Sequence, residues 1–322
     1  MLSRRSALCL FTLPLVLICL SISPVGSLAQ SAKPAVKPSL AKSSTAKPLG
    51  AKPFMPTRFS VVVEGAANGP AVLLLPDVSS SRAVFDDEAR QLAPHYRLYR
   101  VQIAGFAGEP AGPNASGPVL VPVVEELHRY IVANHLHPAV IGHSMGGLMA
   151  LMLTTSHPED VSRTMVIAAL PFYGMLVSPT ETVEMLRPQA LQVHNHVLAL
   201  TKTQFDSLLP EMALRLATGS EARKKIEVSA SATDRTVYAN ATEDEMLTDI
   251  RPQLASIQTP VTVVFSYIAA LDGEYAPKTA NLYADAYQSI PHLTLAEIDD
   301  SHHFVMYDQP EEFHNAVVNF LK

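Results

Sequence analysis

The chain has 322 residues, enough for one large domain or two small ones, and a formal net charge of −6. The first 57 residues hold 7 of the 24 basic side chains and none of the 30 acidic ones, which leaves 17 basic against 30 acidic, near −13, for the rest. That balance argues against nucleic acid as a partner, because phosphate binding needs clustered Lys and Arg. A small-molecule partner stays open.

The N-terminus reads as an export signal. Arg4 and Arg5 form a positive start, the stretch from Ala7 to Ile22 is mostly apolar, and Ser27-Leu28-Ala29 has the small-x-small form of a cleavage site. The apolar run is shorter than the roughly 20 residues of a spanning helix. The expectation is therefore a signal peptide over residues 1–29, no stable membrane span in the mature chain, and a periplasmic or secreted product. Both cysteines, Cys9 and Cys19, fall inside this leader, so the mature chain would have neither a disulfide nor a thiol nucleophile. Residues 30–57 repeat Ala32-Lys33-Pro34, Ala46-Lys47-Pro48 and Ala51-Lys52-Pro53. Proline at this density blocks helices and sheet ladders, so the segment reads as an extended, disordered linker.

From Arg58 onward short apolar runs alternate with amphipathic stretches, the pattern of an α/β domain with a mainly parallel sheet. Strands are predicted at Phe59–Val63, Ala71–Leu75, Arg97–Ile103, Ala139–Ile141, Thr164–Ala168, Val261–Phe265 and Leu293–Ile298. Helices are predicted at Phe85–Leu92, Pro118–Asn134, Leu148–Ser156, Thr279–Ser289 and Glu311–Leu321. Between Pro171 and Ile257 no strand pattern occurs, only helical segments such as Thr182–Leu200 and Phe205–Ala217. About 85 residues is too long for one ordinary connection, so this stretch reads as an inserted helical cap, about 172–256, over the active site.

Gly142-His143-Ser144-Met145-Gly146-Gly147 directly follows the strand pattern Ala139-Val140-Ile141 and precedes a helix. A sharp strand-to-helix turn with Ser at its apex is a nucleophile elbow, and the flanking Gly residues leave room that a Cβ would fill. A serine hydroxyl needs a base, and His303 is best placed, after the last strand and before the terminal helix, with His302 as the fallback. The acid should follow Val261–Phe265. Asp272 is the first carboxylate there, with Glu274 two residues on and Asp272-Gly273 also readable as a turn. His194-Asn195-His196 is discounted as a metal pair, because residues two apart on a helix do not face each other.

The elbow, the inserted cap, and His303-Phe304 followed by Gln309-Pro310 resemble the α/β-hydrolase fold family, roughly from Arg58 to Lys322. The resemblance implies Ser144 as nucleophile, His303 as base and Asp272 as acid. The oxyanion hole would be made by the backbone N–H groups of Met145 and Val78. It implies no metal and no organic cofactor. The expected substrate is a small or medium ester, thioester, lactone or amide; carbon–carbon cleavage or perhydrolysis on the same triad is the alternative.

Two departures from the family pattern stand out. Family members usually carry His-Gly or Pro-Gly where this chain has Pro76-Asp77, which sets a carboxylate beside the developing oxyanion. The acid loop has Ala269-Ala270 where the family has Gly and a carboxylate. These departures support a third reading, a catalytically degenerate binding protein with the same fold.

Overall fold

The computed structural model describes residues 54–267 and 276–322. The expected leader, most of the expected linker, and the loop with Asp272 and Glu274 lie outside the described residues.

Seven strands form one sheet: β1 Phe59–Gly65, β2 Ala71–Leu75, β3 Arg97–Ile103, β4 Ala139–His143, β5 Arg163–Ile167, β6 Val261–Tyr267 and β7 Leu293–Asp299. Their spatial order is β1-β3-β2-β4-β5-β6-β7. Only the β1–β3 pair is antiparallel. Every strand expected from the sequence is present, several of them longer by one or two residues. The central strands are near-continuous apolar runs because both sheet faces are covered. Along β2, Leu73 and Leu75 enter one core while Val72 and Leu74 enter the other.

Helices α1 Asp86–Leu92, α2 Leu120–Ala133 and α3 Met145–Ser156 follow β2, β3 and β4. On α2 the apolar residues Leu120, Val123, Val124, Leu127 and Ile131 recur at helical spacing and face the core. Helix α3 is buried from Met145 to Thr154, so it shows no polar face at all.

The insertion between β5 and β6 is all-helical, as expected, but has four α-helices where the sequence pattern singles out two. These are α4 Val183–Ala199, α5 Lys202–Leu216, α6 Ser220–Ser231 and α7 Arg235–Leu247. Small and polar residues are the reason the last two stay hidden in the sequence. Helix α7 buries Ala239, Ala241, Thr242 and Glu245 alongside Val237, Tyr238 and Met246, so its inner face lacks a strong apolar period. The local start signals are nonetheless clear. Asp234 caps α7 by accepting from the N–H groups of Thr236 (2.8 Å) and Val237 (3.1 Å), and Thr201 with Gln204 forms a capping box on α5.

After β6 come α8 Ala276–Tyr287, then β7, α9 Val305–Asp308 and α10 Pro310–Leu321. Helices α2, α3 and α8 contribute to one core with α4 and α7 of the cap, α1, α9 and α10 contribute to the other, and α5 and α6 of the cap reach both. No helix of the described residues is long and apolar enough to cross a membrane.

Candidate active site

The turn from β4 into α3 holds Ser144 at φ 52°, ψ −117°, a left-handed conformation that costs of order 1–3 kcal/mol for a residue with a Cβ. Backbone bonds on both sides fix it. The Ser144 N–H donates to the Ile167 carbonyl at 2.8 Å, and the Ser144 carbonyl accepts from the Leu148 N–H at 3.0 Å. The two glycines have a different role: a Cβ on Gly142 would overlap the Gly146 carbonyl, and one on Gly146 would overlap the Leu75 carbonyl. The tight turn thus needs close backbone approach at both positions. Met145 opens α3, so its N–H has no acceptor within the helix.

His303 lies in the short connection between β7 and α9, buried with its ring 4.6 Å from that of His143. Its carbonyl accepts a 2.9 Å hydrogen bond from His143 Nε2, which assigns the proton of His143 to that nitrogen. Burial, and then the neighbouring His303, holds the His143 imidazole neutral, its pKa pushed down to about 3. The loop is pinned from the cap as well. Asp308 Oδ2 accepts from the His302 N–H, Asp308 Oδ1 accepts from the N–H and hydroxyl of Thr218 (all 2.9 Å), and the Phe304 N–H donates to the Leu216 carbonyl at 3.0 Å. His302 is thereby held by its backbone, and its carbonyl accepts from Ser266 Oγ at 2.9 Å.

Asp77 is the feature least expected of this site. It is buried at the end of β2, its Oδ2 is 3.5 Å from His303 Nε2, and its Oδ1 accepts a 2.6 Å hydrogen bond from the Val78 N–H. The donor expected to hold an oxyanion is therefore engaged by the preceding residue's own carboxylate. Burial pushes the Asp77 carboxyl up, but the His303 and His143 rings and the Ser144 hydroxyl outweigh it, so the group lies below its ordinary range. His303 Nε2 and His143 Nδ1 have no hydrogen-bond partner among the described residues.

The sequence singles out Asp77 as a departure, but it does not show that His303 and Ser144 converge on it. Asp308 is hidden for the same reason, since its partners Thr218 and His302 are distant in the chain or share no motif with it. One ligand atom from each of Asp77, His143 and His303 lies within 4.8 Å of the others, and the same holds for His128, His157 and Asp160. In the second set His128 Nδ1 is bonded to Asp160 Oδ2 at 2.6 Å and His157 Nε2 to Glu125 Oε1 at 3.1 Å, so these rings already have carboxylate partners.

Comparison with known proteins agrees with this architecture. A family model described as "Alpha/beta hydrolase family" matches residues 72–316. A pimeloyl-[acyl-carrier protein] methyl ester esterase of Aeromonas salmonicida is 32% identical over 114 residues, 35% of this chain; the match spans only 43% of that relative's length. An sn-1-specific diacylglycerol lipase of Mus musculus is 23% identical across 81% of this chain and 83% of its own. Among solved structures, a hydrolase from Pseudomonas aeruginosa superposes with TM-score 0.68 at 20% identity, covering 82% of this chain and 94% of its own. An enol-lactonase from Burkholderia xenovorans superposes with TM-score 0.65 at 18% identity, over 82% and 96% of the two chains. With the family match spanning most of the chain and the strand order, elbow and inserted cap all in place, this chain belongs to the alpha/beta hydrolase family.

Proposed function

We propose that the protein is an exported serine hydrolase that cleaves a small or medium ester, thioester, lactone or amide through an acyl-enzyme. The carrying observation is Ser144 held in a left-handed conformation at the β4–α3 turn, with Ser144 and the buried His303 both reaching Asp77. In this reading Ser144 Oγ attacks the substrate carbonyl and His303 Nε2 takes its proton. His303 then returns the proton to the leaving group, and water releases the acyl group through the same base. Met145 and Val78 N–H groups hold the oxyanion once the substrate carbonyl displaces Asp77 from Val78. Asp272 is assigned as the acid that orients His303, with Glu274 as its rival, on sequence order alone. Export rests on Arg4, Arg5, the apolar stretch to Ile22 and the Ser27-Leu28-Ala29 site.

A second reading, a binding protein that keeps the fold without turnover, draws on the occupied Val78 N–H. One experiment separates the two. Treating cell fractions with a fluorophosphonate probe should label a band of the envelope or medium fraction, at the mass of a chain beginning at Gln30. Ser144→Ala should abolish the label. A folded wild-type chain that takes no label sinks the hydrolase reading, and a labelled band at full-length mass inside the cell sinks export.

A further inference from the structure

Two imidazole nitrogens at the elbow, His303 Nε2 and His143 Nδ1, are buried without a hydrogen-bond partner among the described residues. The hydrolase reading uses the first as its base and gives the second no role. His143 Nδ1 is a free lone pair, because the ring carries its proton on Nε2 and donates it to the His303 carbonyl at 2.9 Å. Asp77 supplies a third group, its Oδ2 lying 3.5 Å from His303 Nε2. The three residues are only 2% (Asp77), 0% (His143) and 6% (His303) exposed, so water does not explain the unpaired nitrogens. Buried polar atoms are nearly always paired, and two free ring nitrogens beside a carboxylate point to a ligand.

The donor set selects that ligand. Two imidazole nitrogens and one carboxylate oxygen suit Zn²⁺, whereas Mg²⁺ and Ca²⁺ take oxygen ligands. Both partners of His303 already have the charge state that metal binding needs. Burial, and then the neighbouring His303, keeps the His143 ring neutral, while the two rings and the Ser144 hydroxyl hold the Asp77 carboxyl below its ordinary range against the effect of burial. A tetrahedral zinc with bonds of about 2.0–2.1 Å sets its ligand atoms roughly 3.3–3.5 Å apart. The Asp77–His303 edge has that length, and one ligand atom of each of the three residues lies within 4.8 Å of the others, so a small shift of the rings closes the site. The bond from His143 Nε2 to a backbone carbonyl is also the outer contact that orients a metal-binding imidazole.

His128, His157 and Asp160 come equally close together but lack these features. Their rings are bonded to Asp160 and Glu125 and lie flat on each other, 3.7 Å apart with 10° between their planes, so their in-plane lone pairs do not converge. We propose that Asp77, His143 and His303 form a zinc site that shuts the nucleophile elbow. Bound Zn²⁺ takes the lone pair of His303 Nε2, with which the base would otherwise accept the Ser144 proton, so the ion is an inhibitor. The inhibition rests on the serine hydrolase reading, and the metal site does not.

Calorimetric titration of tag-free protein, stripped with EDTA and desalted, tests this. The wild type and Ser144→Ala should each take up a single Zn²⁺ per chain in the presence of excess Mg²⁺. Asp77→Asn should weaken that binding by tenfold or more, and His157→Gln should leave it unchanged. On the wild type, equimolar Zn²⁺ should abolish fluorophosphonate labelling, and EDTA should restore it. A chain that binds Zn²⁺ through Asp77 but takes no label even when stripped removes the hydrolase reading and supports the metal site. No uptake of Zn²⁺, uptake that Asp77→Asn does not weaken, uptake lost in His157→Gln, or undiminished labelling of the zinc-loaded chain overturns the inference. If Asp77→Asn fails to fold, Co²⁺ added to the wild type decides it by nuclear magnetic resonance. The paramagnetic ion should shift the ring signals of His143 and His303 and spare those of His128 and His157; the reverse pattern overturns the site.

Discussion

Asp77 gives the site its distinctive character at the scale of single residues. Its carboxylate takes the Val78 N–H and faces His303, so in the proposed hydrolase reading a substrate carbonyl has to displace a bound negative charge before that donor can hold an oxyanion. Removing one oxyanion donor typically costs about 100- to 1,000-fold in rate, so freeing one should raise it. Asp77→Gly is expected to increase kcat on p-nitrophenyl butyrate, by roughly tenfold on that scale; an unchanged or lower kcat in a folded variant would show that Asp77 does not block the hole. The same substitution has a pH signature. The Asp77 carboxyl lies below its unfolded value, so it contributes stability above about pH 4 that fades as the pH falls through its folded value. The melting-temperature difference between wild type and Asp77→Gly should accordingly shrink on acidification below pH 4.

The strand-turn-helix unit β4–α3 is the element on which the site is built. Its glycines are required for space: Gly146 packs against the Leu75 and Pro76 carbonyls and Gly142 against the Gly146 carbonyl, all backbone atoms that cannot swing aside. Gly146→Ala should therefore separate β4 from β2 at the oxyanion loop and destabilise the fold by about 3 kcal/mol or more, in the range reserved for core overpacking. Urea unfolding measures this, and a loss below about 1 kcal/mol would mean the turn relaxes. This element was legible in the sequence, because Gly, Ser and the flanking apolar runs act locally. Helix α7 was not, because its buried face is Tyr238, Ala241, Thr242 and Glu245, and only the elements packed over it explain why such residues are inside. On paper His303 ranks first as the base, with its neighbour His302 as the fallback. The Asp308 bond to the His302 N–H and the packing of the His303 ring on His143 distinguish them.

For the whole molecule, the cap and the sheet share one apolar core. Leu186, Val193, Phe205 and Val237 of the cap belong to the same buried cluster as Leu73, Val140 and Val263 of the sheet. Neither part can bury its apolar face alone, so the two should unfold together. With 10 Tyr and no Trp, tyrosine emission follows the tertiary packing while far-ultraviolet dichroism follows the helices. The two urea transitions should coincide, and an earlier, separate loss of part of the helix signal would show the cap melting by itself.

What the sequence determined by itself is what local spacing encodes: the seven strands, the tight strand-turn-helix with Ser144 at its apex, and an all-helical insertion between β5 and β6. Those features follow from alternation, turn chemistry and chain length, which act among residues close in sequence. Only the tertiary structure decided that Asp77 meets Val78 and His303 and that Asp308 ties the histidine loop to the cap. Each joins residues distant in the chain or with no shared motif, and each concerns buried polar groups. Their position reflects the partners that folding brings to them, which hydrophobic periodicity does not encode.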